Sequence, residues 1–125
     1  MLRFLFAAFL IAHGLVHVFL FRLSPSVDEA PFVASDSWAL RFAHVGSQPM
    51  KLYATELSGG IATFLTIAGV FLIFHWSAWA VFAGIGAVGG LALKVLYFHK
   101  WLVVGMLIDI AILWLLVMQL PASLH

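Results

Sequence analysis

Long runs of apolar residues, separated by short polar breaks, make up most of this chain. An α-helix needs about 20 such residues to cross roughly 30 Å of hydrocarbon. Four runs reach that length, and they predict transmembrane helices at about residues 4–23, 50–75, 79–98 and 101–120. The last two breaks are short, so the helices they join are expected to lie antiparallel as neighbours. The pattern predicts one domain, an all-α integral membrane bundle of four transmembrane helices.

One connection, Ser24 to Gln48, is much longer than the others. Its first part carries two prolines and several acidic residues, which indicates an irregular segment in water. Ser35 or Asp36 is expected to cap a short helix that ends at Gly46. That helix would place three apolar residues on one face: Trp38, Phe42 and Val45. This arrangement favours an amphipathic segment in the membrane interface, and a folded cap over the bundle is the alternative.

The composition indicates that this protein lies in a lipid environment. Hydrophobic residues make up 65% of the chain and charged residues 9%, and the mean hydropathy is +1.14. A water-soluble domain of this size cannot bury so much apolar surface, so the lipid bilayer is the predicted partner. A formal charge of +1, without a basic run, argues against nucleic acid. The lack of cysteine excludes disulfides, thiolate metal sites and thiol catalysis.

The distribution of Lys and Arg predicts an orientation in the membrane. Arg3 is the single basic residue on the side of the two termini, whereas five occupy the side of the long loop: Arg22, Arg41, Lys51, Lys94 and Lys100. The positive-inside rule therefore places the long loop in the cytoplasm and both termini outside. The first run, Leu2 to Leu23, is too long for the apolar part of a signal peptide and is interpreted as a retained helix.

Five ionisable side chains fall inside the predicted spans, where each costs roughly 2.5 kcal/mol or more at the bilayer centre. They are His13 and His17 in the first span, Glu56 in the second, Lys94 in the third and Asp109 in the fourth. At about 1.5 Å of rise per residue, all five lie in the half of the bilayer beside the long loop.

Small residues at helical spacing accompany these polar groups. Gly86 and Gly90 precede Lys94, and Gly105 precedes Asp109, each at a spacing of four. In the second span, Gly60 and Thr63 are expected to share a face with Glu56. Small residues allow helices in lipid to approach closely, so these faces are predicted to point inward. The spacing thus predicts an internal polar site.

The chemistry of such a site remains open among several alternatives. His13 and His17 are one turn apart, as two ligands of one metal ion would be, with Asp109 or Glu56 as the third ligand. One histidine could instead bind a haem or the magnesium of a chlorophyll-type pigment, with the other as its hydrogen-bond partner. A neutralised network that steadies the bundle is a further reading. Proton-coupled transport, or binding of a quinone or lipid, completes the set of alternatives.

Two short motifs resemble a known group of proteins. The run Arg3-Phe4-Leu5 is followed by Ala12-His13-Gly14-Leu15-Val16-His17, and the fourth span opens with Phe98-His99-Lys100-Trp101 and continues through Gly105 to Asp109. These stretches resemble small uncharacterised bacterial membrane proteins with a His-Gly-Leu-x-His first helix and a DoxX-like four-helix shape. Lys100 stands where that pattern often has proline, and the long loop is unmatched. The resemblance implies a four-helix fold in a bacterial inner membrane and groups His13, His17 and Asp109, but it brings no established activity.

Two classes of function follow from these features. A small structural or accessory subunit of a larger membrane complex, or a self-associating chain, fits the short turns and the lack of an aqueous domain. A binding or transport bundle would use the polar site and a cofactor such as haem, a chlorophyll-type pigment or a divalent metal. The residue after His13 is glycine instead of the glutamate of a metalloprotease motif. No catalytic residue is predicted, and a non-enzymatic role is favoured.

Overall fold

The computed structural model describes residues 1–22 and 37–119, and this part of the chain is helical without strands. The helices are α1 (Leu2–Arg22), α2 (Trp38–Phe42), α3 (Ser47–Ile73), α4 (Trp79–Leu96) and α5 (Val103–Val117), with a 3-10 turn at Lys100–Leu102 before α5. Four of the helices are long and apolar enough to cross a membrane, which confirms the predicted all-α bundle of four transmembrane helices.

The helix ends differ by a few residues from the predicted bounds. The second long helix begins at Ser47, so Pro49 lies within its first turn, where its missing N–H has no intrahelical acceptor. The same helix ends at Ile73, and His75 adopts a positive φ of 59° that turns the chain toward α4. At this end the Arg3 guanidinium hydrogen-bonds the His75 ring. The start of α1 therefore lies beside the α3–α4 turn.

The long helices pack in the order α1, α3, α4 and α5, each against the next. Glycines permit the closest approaches. A Cβ at Gly69 would lie 2.8 Å from the Ala7 carbonyl oxygen, and one at Gly86 would lie 2.7 Å from the side chain of Leu65. Small residues thus bring the helices together at the buried faces, as expected for association in lipid.

One predicted small-residue face is wrong. Gly60 and Thr63 of α3 are exposed, and a Cβ at Gly60 would meet nothing within 4 Å. Thr63 donates its hydroxyl to the Gly59 carbonyl of its own helix at 2.9 Å, so its polar group needs no neighbouring helix. The buried face of α3 instead carries larger apolar residues, among them Ile61 and Leu65.

The short helix α2 is attached to the end of α4. Ser37 is its N-cap, accepting from the Leu40 N–H at 3.3 Å and donating to the Leu96 carbonyl at 2.6 Å. The indole of Trp38 donates to the Val95 carbonyl at 2.7 Å. The cap is therefore neither Ser35 nor Asp36, which lie outside the described residues, as does most of the predicted irregular segment.

The apolar face predicted for this helix is correct only in part. Trp38 and Phe42 are exposed, as an interfacial segment requires, whereas Val45 packs against the core beyond the end of the helix. The helix ends at Phe42, and His44 follows in the left-handed region with φ 58°. This reversal gives Val45 a different direction from Trp38 and Phe42.

Candidate binding site

Four polar side chains from three helices meet in the interior of the bundle. His13 and His17 come from α1, Lys94 from α4 and Asp109 from α5, and all four are buried. We refer to these residues as the polar cluster. Four of the five ionisable residues singled out in the sequence thus come together.

Asp109 lies at the centre of the polar cluster. Its Oδ1 accepts a hydrogen bond from Nε2 of His13 at 2.7 Å, and its Oδ2 accepts one from Nζ of Lys94 at 2.5 Å. Each carboxylate oxygen has a donor from a different helix. Charge-assisted hydrogen bonds of this kind are about twice as strong as neutral ones, so Asp109 ties α1 and α4 to α5.

Lys94 has an acceptor for each of its three protons. Besides Asp109, Nζ lies 2.5 Å from Nε2 of His17 and 3.4 Å from the Gly90 carbonyl oxygen. An ammonium group has three donors and no acceptor, so these partners satisfy it completely.

The contacts of His17 determine which of its nitrogens carries a proton. Nδ1 lies 2.9 Å from the His13 carbonyl oxygen, which can only accept, so Nδ1 carries the hydrogen. Nε2 faces the Lys94 ammonium and therefore accepts. His17 is thus neutral in this arrangement, held by its own helix on one side and by α4 on the other.

The polar cluster is neutral overall in the arrangement that satisfies these contacts. The Asp109 carboxylate and the Lys94 ammonium cancel, and both imidazoles are uncharged. A net charge would be costly in a low-dielectric interior, whereas a paired and fully hydrogen-bonded set is tolerated.

His13 differs from the other three members in having an unused acceptor. Since the Asp109 carboxylate only accepts, Nε2 of His13 carries the proton, and the lone pair of the neutral ring lies on Nδ1. No described residue makes a hydrogen bond to Nδ1. The ring is stacked on Phe9, at 5.8 Å between centroids and 6° between planes, which fixes its orientation.

Two glycines provide the space that the polar cluster occupies. A Cβ at Gly90 would lie 2.8 Å from both Oδ2 of Asp109 and Nε2 of His17. A Cβ at Gly105 would lie 2.6 Å from Cε of Lys94. These are the glycines that precede Lys94 and Asp109 by one turn, so here the predicted glycine faces do point inward.

Glu56 does not belong to the polar cluster. It is exposed on α3, on the same side as Gly60 and Thr63, and no described member of the cluster contacts it. The structure therefore groups Asp109, and not Glu56, with His13 and His17 as possible metal ligands.

A pocket of about 390 Å³ opens beside the polar cluster, between α1 and the first turns of α5. Its walls are mainly apolar, and three members of the polar cluster, His13, His17 and Lys94, are among its lining residues. The apolar lining consists of Phe9, Ala12, Val16, Leu20, Trp101, Leu102, Val104, Gly105 and Ile108. An apolar cavity of this size with a few converging polar groups is typical of small-molecule sites.

The geometry bears on the predicted metal site. One ligand atom from each of His13, His17 and Asp109 lies within 4.8 Å of the others, as a three-ligand metal site requires. Nζ of Lys94 is 2.5 Å from atoms of both His17 and Asp109. The ammonium therefore supplies the positive charge that a metal would bring, and a metal ion could bind only if Lys94 moved away.

A haem or a chlorophyll-type magnesium needs a free imidazole nitrogen. The described contacts use both nitrogens of His17 and Nε2 of His13. Nδ1 of His13 is the remaining candidate for a ligand atom. The sequence alone does not distinguish the two histidines, whereas the structure does. A haem or a chlorophyll-type magnesium would therefore be expected to bind at Nδ1 of His13.

Tyr97, just after α4, fixes the end of the bundle that lies near the polar cluster. Its buried hydroxyl donates to the Met50 carbonyl in the first turn of α3, and its ring packs edge-on against Phe21 of α1. Burial raises the pKa of the Tyr97 hydroxyl, which therefore remains a neutral donor. Sequence reasoning missed this contact, because a tyrosine at a helix end is also typical of an interfacial anchor.

The pocket itself was also missed. Trp101 lines it together with Ala12 and Val16. Nothing in the sequence distinguishes these residues from others that face lipid. All of them are apolar, and the helices that carry them are apolar on most of their faces.

Comparisons with family models, with curated proteins and with solved structures found no match to this chain. The fold and the polar cluster are therefore the basis for a functional assignment.

Proposed function

We propose that this protein is a membrane-embedded binding bundle that holds a lipid-soluble molecule in the pocket between α1 and α5. The observation that carries the proposal is the contact between the apolar pocket and the buried polar cluster. His13 lines the pocket and is itself held by Asp109. The polar end of a bound molecule would meet His13, and its apolar part would lie along the walls.

The burial of polar side chains within apolar helices supports this proposal. Burying four polar side chains in lipid-spanning helices is costly, and such groups commonly mark functional sites. Gly90 and Gly105 also leave space for these groups, because a Cβ at either position would lie less than 3 Å from an atom of the polar cluster. The binding of a quinone or lipid, among the alternatives raised by the sequence, fits a pocket of about 390 Å³.

Photoaffinity labelling tests the proposal. The probe is 4-decylphenol with a diazirine on the alkyl chain, added to the purified full chain in lipid nanodiscs. We expect labelled peptides from the pocket walls of α1 and α5, with labelling reduced by excess unlabelled decylphenol. Labelling spread evenly over all exposed apolar faces would contradict the proposal.

A matched pair of variants makes this test specific. Ala12 lines the pocket, so Ala12→Trp fills it, whereas Ala111 is exposed on α5 away from the pocket. Ala12→Trp should weaken probe binding by about tenfold or more, which corresponds to about 1.4 kcal/mol. Ala111→Trp adds the same side chain and should leave labelling unchanged.

A second role, that of an accessory subunit in a larger membrane complex, is favoured by the exposure of α5. Within the described residues, 17% of the span Lys100–Val117 is buried, compared with 39% of α4 and of an 18-residue stretch of α3. A partner subunit would cover the outer face of this helix. The photoreactive analogue benzoylphenylalanine at Trp114 should then give one discrete protein adduct in native membranes. The same analogue at the exposed Phe19 of α1 is the control, and equal diffuse labelling at both positions would contradict this role.

We also propose a bacterial inner-membrane location, as the resemblance of the first and fourth spans implies, with the long loop in the cytoplasm. The excess of Lys and Arg on the side of the long loop supports this orientation. The chain has no cysteine, so single cysteines can report the orientation. A cysteine at Lys100 should react with an impermeant maleimide only after the membrane is opened. A cysteine at Trp76 should react in intact cells, and the reverse result would invert the topology.

A further inference from the structure

The hydrogen-bond pattern of the polar cluster specifies what kind of polar group the pocket can accept. Asp109 and Lys94 satisfy each other and the two histidines, and His17 uses both nitrogens within the protein. Nδ1 of His13 is left without a described partner. His13 is 6% exposed, so its ring is more than nine-tenths buried.

The surroundings of Nδ1 in His13 include the pocket that this residue lines. Among the described residues, Nε of Arg3 is the side-chain nitrogen that is both fully buried and without a partner. Nδ1 of His13 also has no described partner but is not fully buried, so it keeps some accessible surface. His13 lines the pocket, and its ring is held on one side by Phe9 and edge-on by His17 at 4.9 Å between centroids. The ring cannot rotate freely to satisfy Nδ1 elsewhere.

We propose that the pocket selects lipid-soluble molecules whose polar end carries a hydroxyl group, which donates a hydrogen bond to Nδ1 of His13. This inference rests on the proposed binding function and narrows it to one class of ligand. A carbonyl or ether oxygen only accepts, so it cannot pair with a lone pair on Nδ1. A buried acceptor without a donor is costly, and this cost discriminates against such ligands.

The Asp109 carboxylate strengthens this selection. It accepts the Nε2 proton of His13, which fixes the tautomer and makes Nδ1 a better acceptor, as a carboxylate does behind a metal-bound histidine. A better acceptor favours a more acidic donor. The structure thus favours a phenolic hydroxyl, such as that of a quinol or an alkylphenol, over an aliphatic alcohol.

Competition against the diazirine decylphenol tests the inference without any substitution in the protein. The first matched pair is 4-decylphenol and its methyl ether, 4-decylanisole, which differ in the hydroxyl proton. The second pair is decanol and decyl methyl ether. We expect decylphenol to compete about tenfold better than decylanisole, with a smaller preference for decanol over its ether. Decylbenzoquinone, which has only carbonyl acceptors, should compete as weakly as the ethers.

Substitution of the acceptor provides a second, independent measurement. His13→Asn shortens the side chain, and the variant should bind decylphenol and decylanisole equally. His44→Asn is the matched control, because His44 is exposed outside the pocket and asparagine tolerates its left-handed backbone. This control should keep the wild-type preference.

The outcomes separate the two proposals. Equal competition by decylphenol and decylanisole in the wild-type protein overturns the selection of a hydroxyl donor while leaving the pocket as a binding site. Equal labelling of the wild type and Ala12→Trp, without competition by any compound, overturns both. A preference for decanol over decylphenol would retain the hydroxyl and overturn the phenolic assignment.

Discussion

Gly90 of α4 lies against the carboxylate of Asp109 on α5, so close that a Cβ at Gly90 would be 2.8 Å from Oδ2. The same Cβ would be 2.8 Å from Nε2 of His17 on α1. One hydrogen atom in place of a methyl group therefore allows three helices to bring their polar side chains together.

Gly90→Ala should destabilise the bundle. The added methyl group would push Asp109 and His17 apart, and overpacking of this kind typically costs about 1–3 kcal/mol. Gly60→Ala is the control, because a Cβ there meets nothing within 4 Å and alanine favours the helix by about 1 kcal/mol. Unfolding of the purified proteins in detergent measures the difference. Equal stability of both variants would contradict the packing described here.

Lys94 and Asp109 should show strong energetic coupling. Lys94→Met leaves the buried carboxylate without its counter-ion, and Asp109→Leu does the same to the buried ammonium. Each variant should therefore lose about 3–5 kcal/mol of stability. The double variant removes both charges and should lose less than the sum. A double-mutant cycle measures the coupling, expected to exceed about 1 kcal/mol, and additive losses would argue against the ion pair.

Removal of the Lys94 side chain should create a metal site. In Lys94→Ala, the ligand atoms of His13, His17 and Asp109 would still lie within 4.8 Å of one another, now without the ammonium between them. We expect this variant to bind Co²⁺ with visible d–d absorption, whereas the wild type and Lys94→Ala/His17→Ala should not. Stoichiometric binding of Co²⁺ by the wild type would show that the Lys94 side chain can move away from His17 and Asp109. This result would favour a metal site in the native protein.

The Tyr97 hydroxyl should contribute to the stability of the bundle. Tyr97→Phe removes the hydrogen bond from this hydroxyl to the Met50 carbonyl and should cost about 1 kcal/mol. Tyr53 of α3 is half exposed, so Tyr53→Phe is a matched control with an expected change within about 0.5 kcal/mol. The two unfolding free energies should therefore differ, and identical values would mean that the contact contributes nothing.

Hydropathy and residue spacing predicted the spans and much of the polar cluster. The spans were predictable because lipid demands long apolar helices, whatever their packing. Lys94 and Asp109 were placed inward because Gly90 and Gly105 precede them by one turn, and both glycines do lie against cluster atoms.

The same reasoning failed for Glu56 because small residues on a helix do not always mark its buried face. Thr63 satisfies its hydroxyl within α3, and Gly60 exposes no polar side chain, so both residues can face lipid at little cost. The pocket was unpredictable for a related reason. The pocket lies between α1 and α5, which are the first and last helices in the packing order α1, α3, α4 and α5. That order is a property of the whole bundle and is not encoded by any single helix.

The position of the pocket between α1 and α5 has a consequence for how its occupancy is measured. Val16 and Val104 line it and are also exposed on the outer surface, where acyl chains would touch them. A hydrophobic molecule would enter sideways from the bilayer without crossing water. Its binding then depends on its mole fraction among the lipids, so diluting the sample in buffer would leave occupancy unchanged while adding more lipid would lower it.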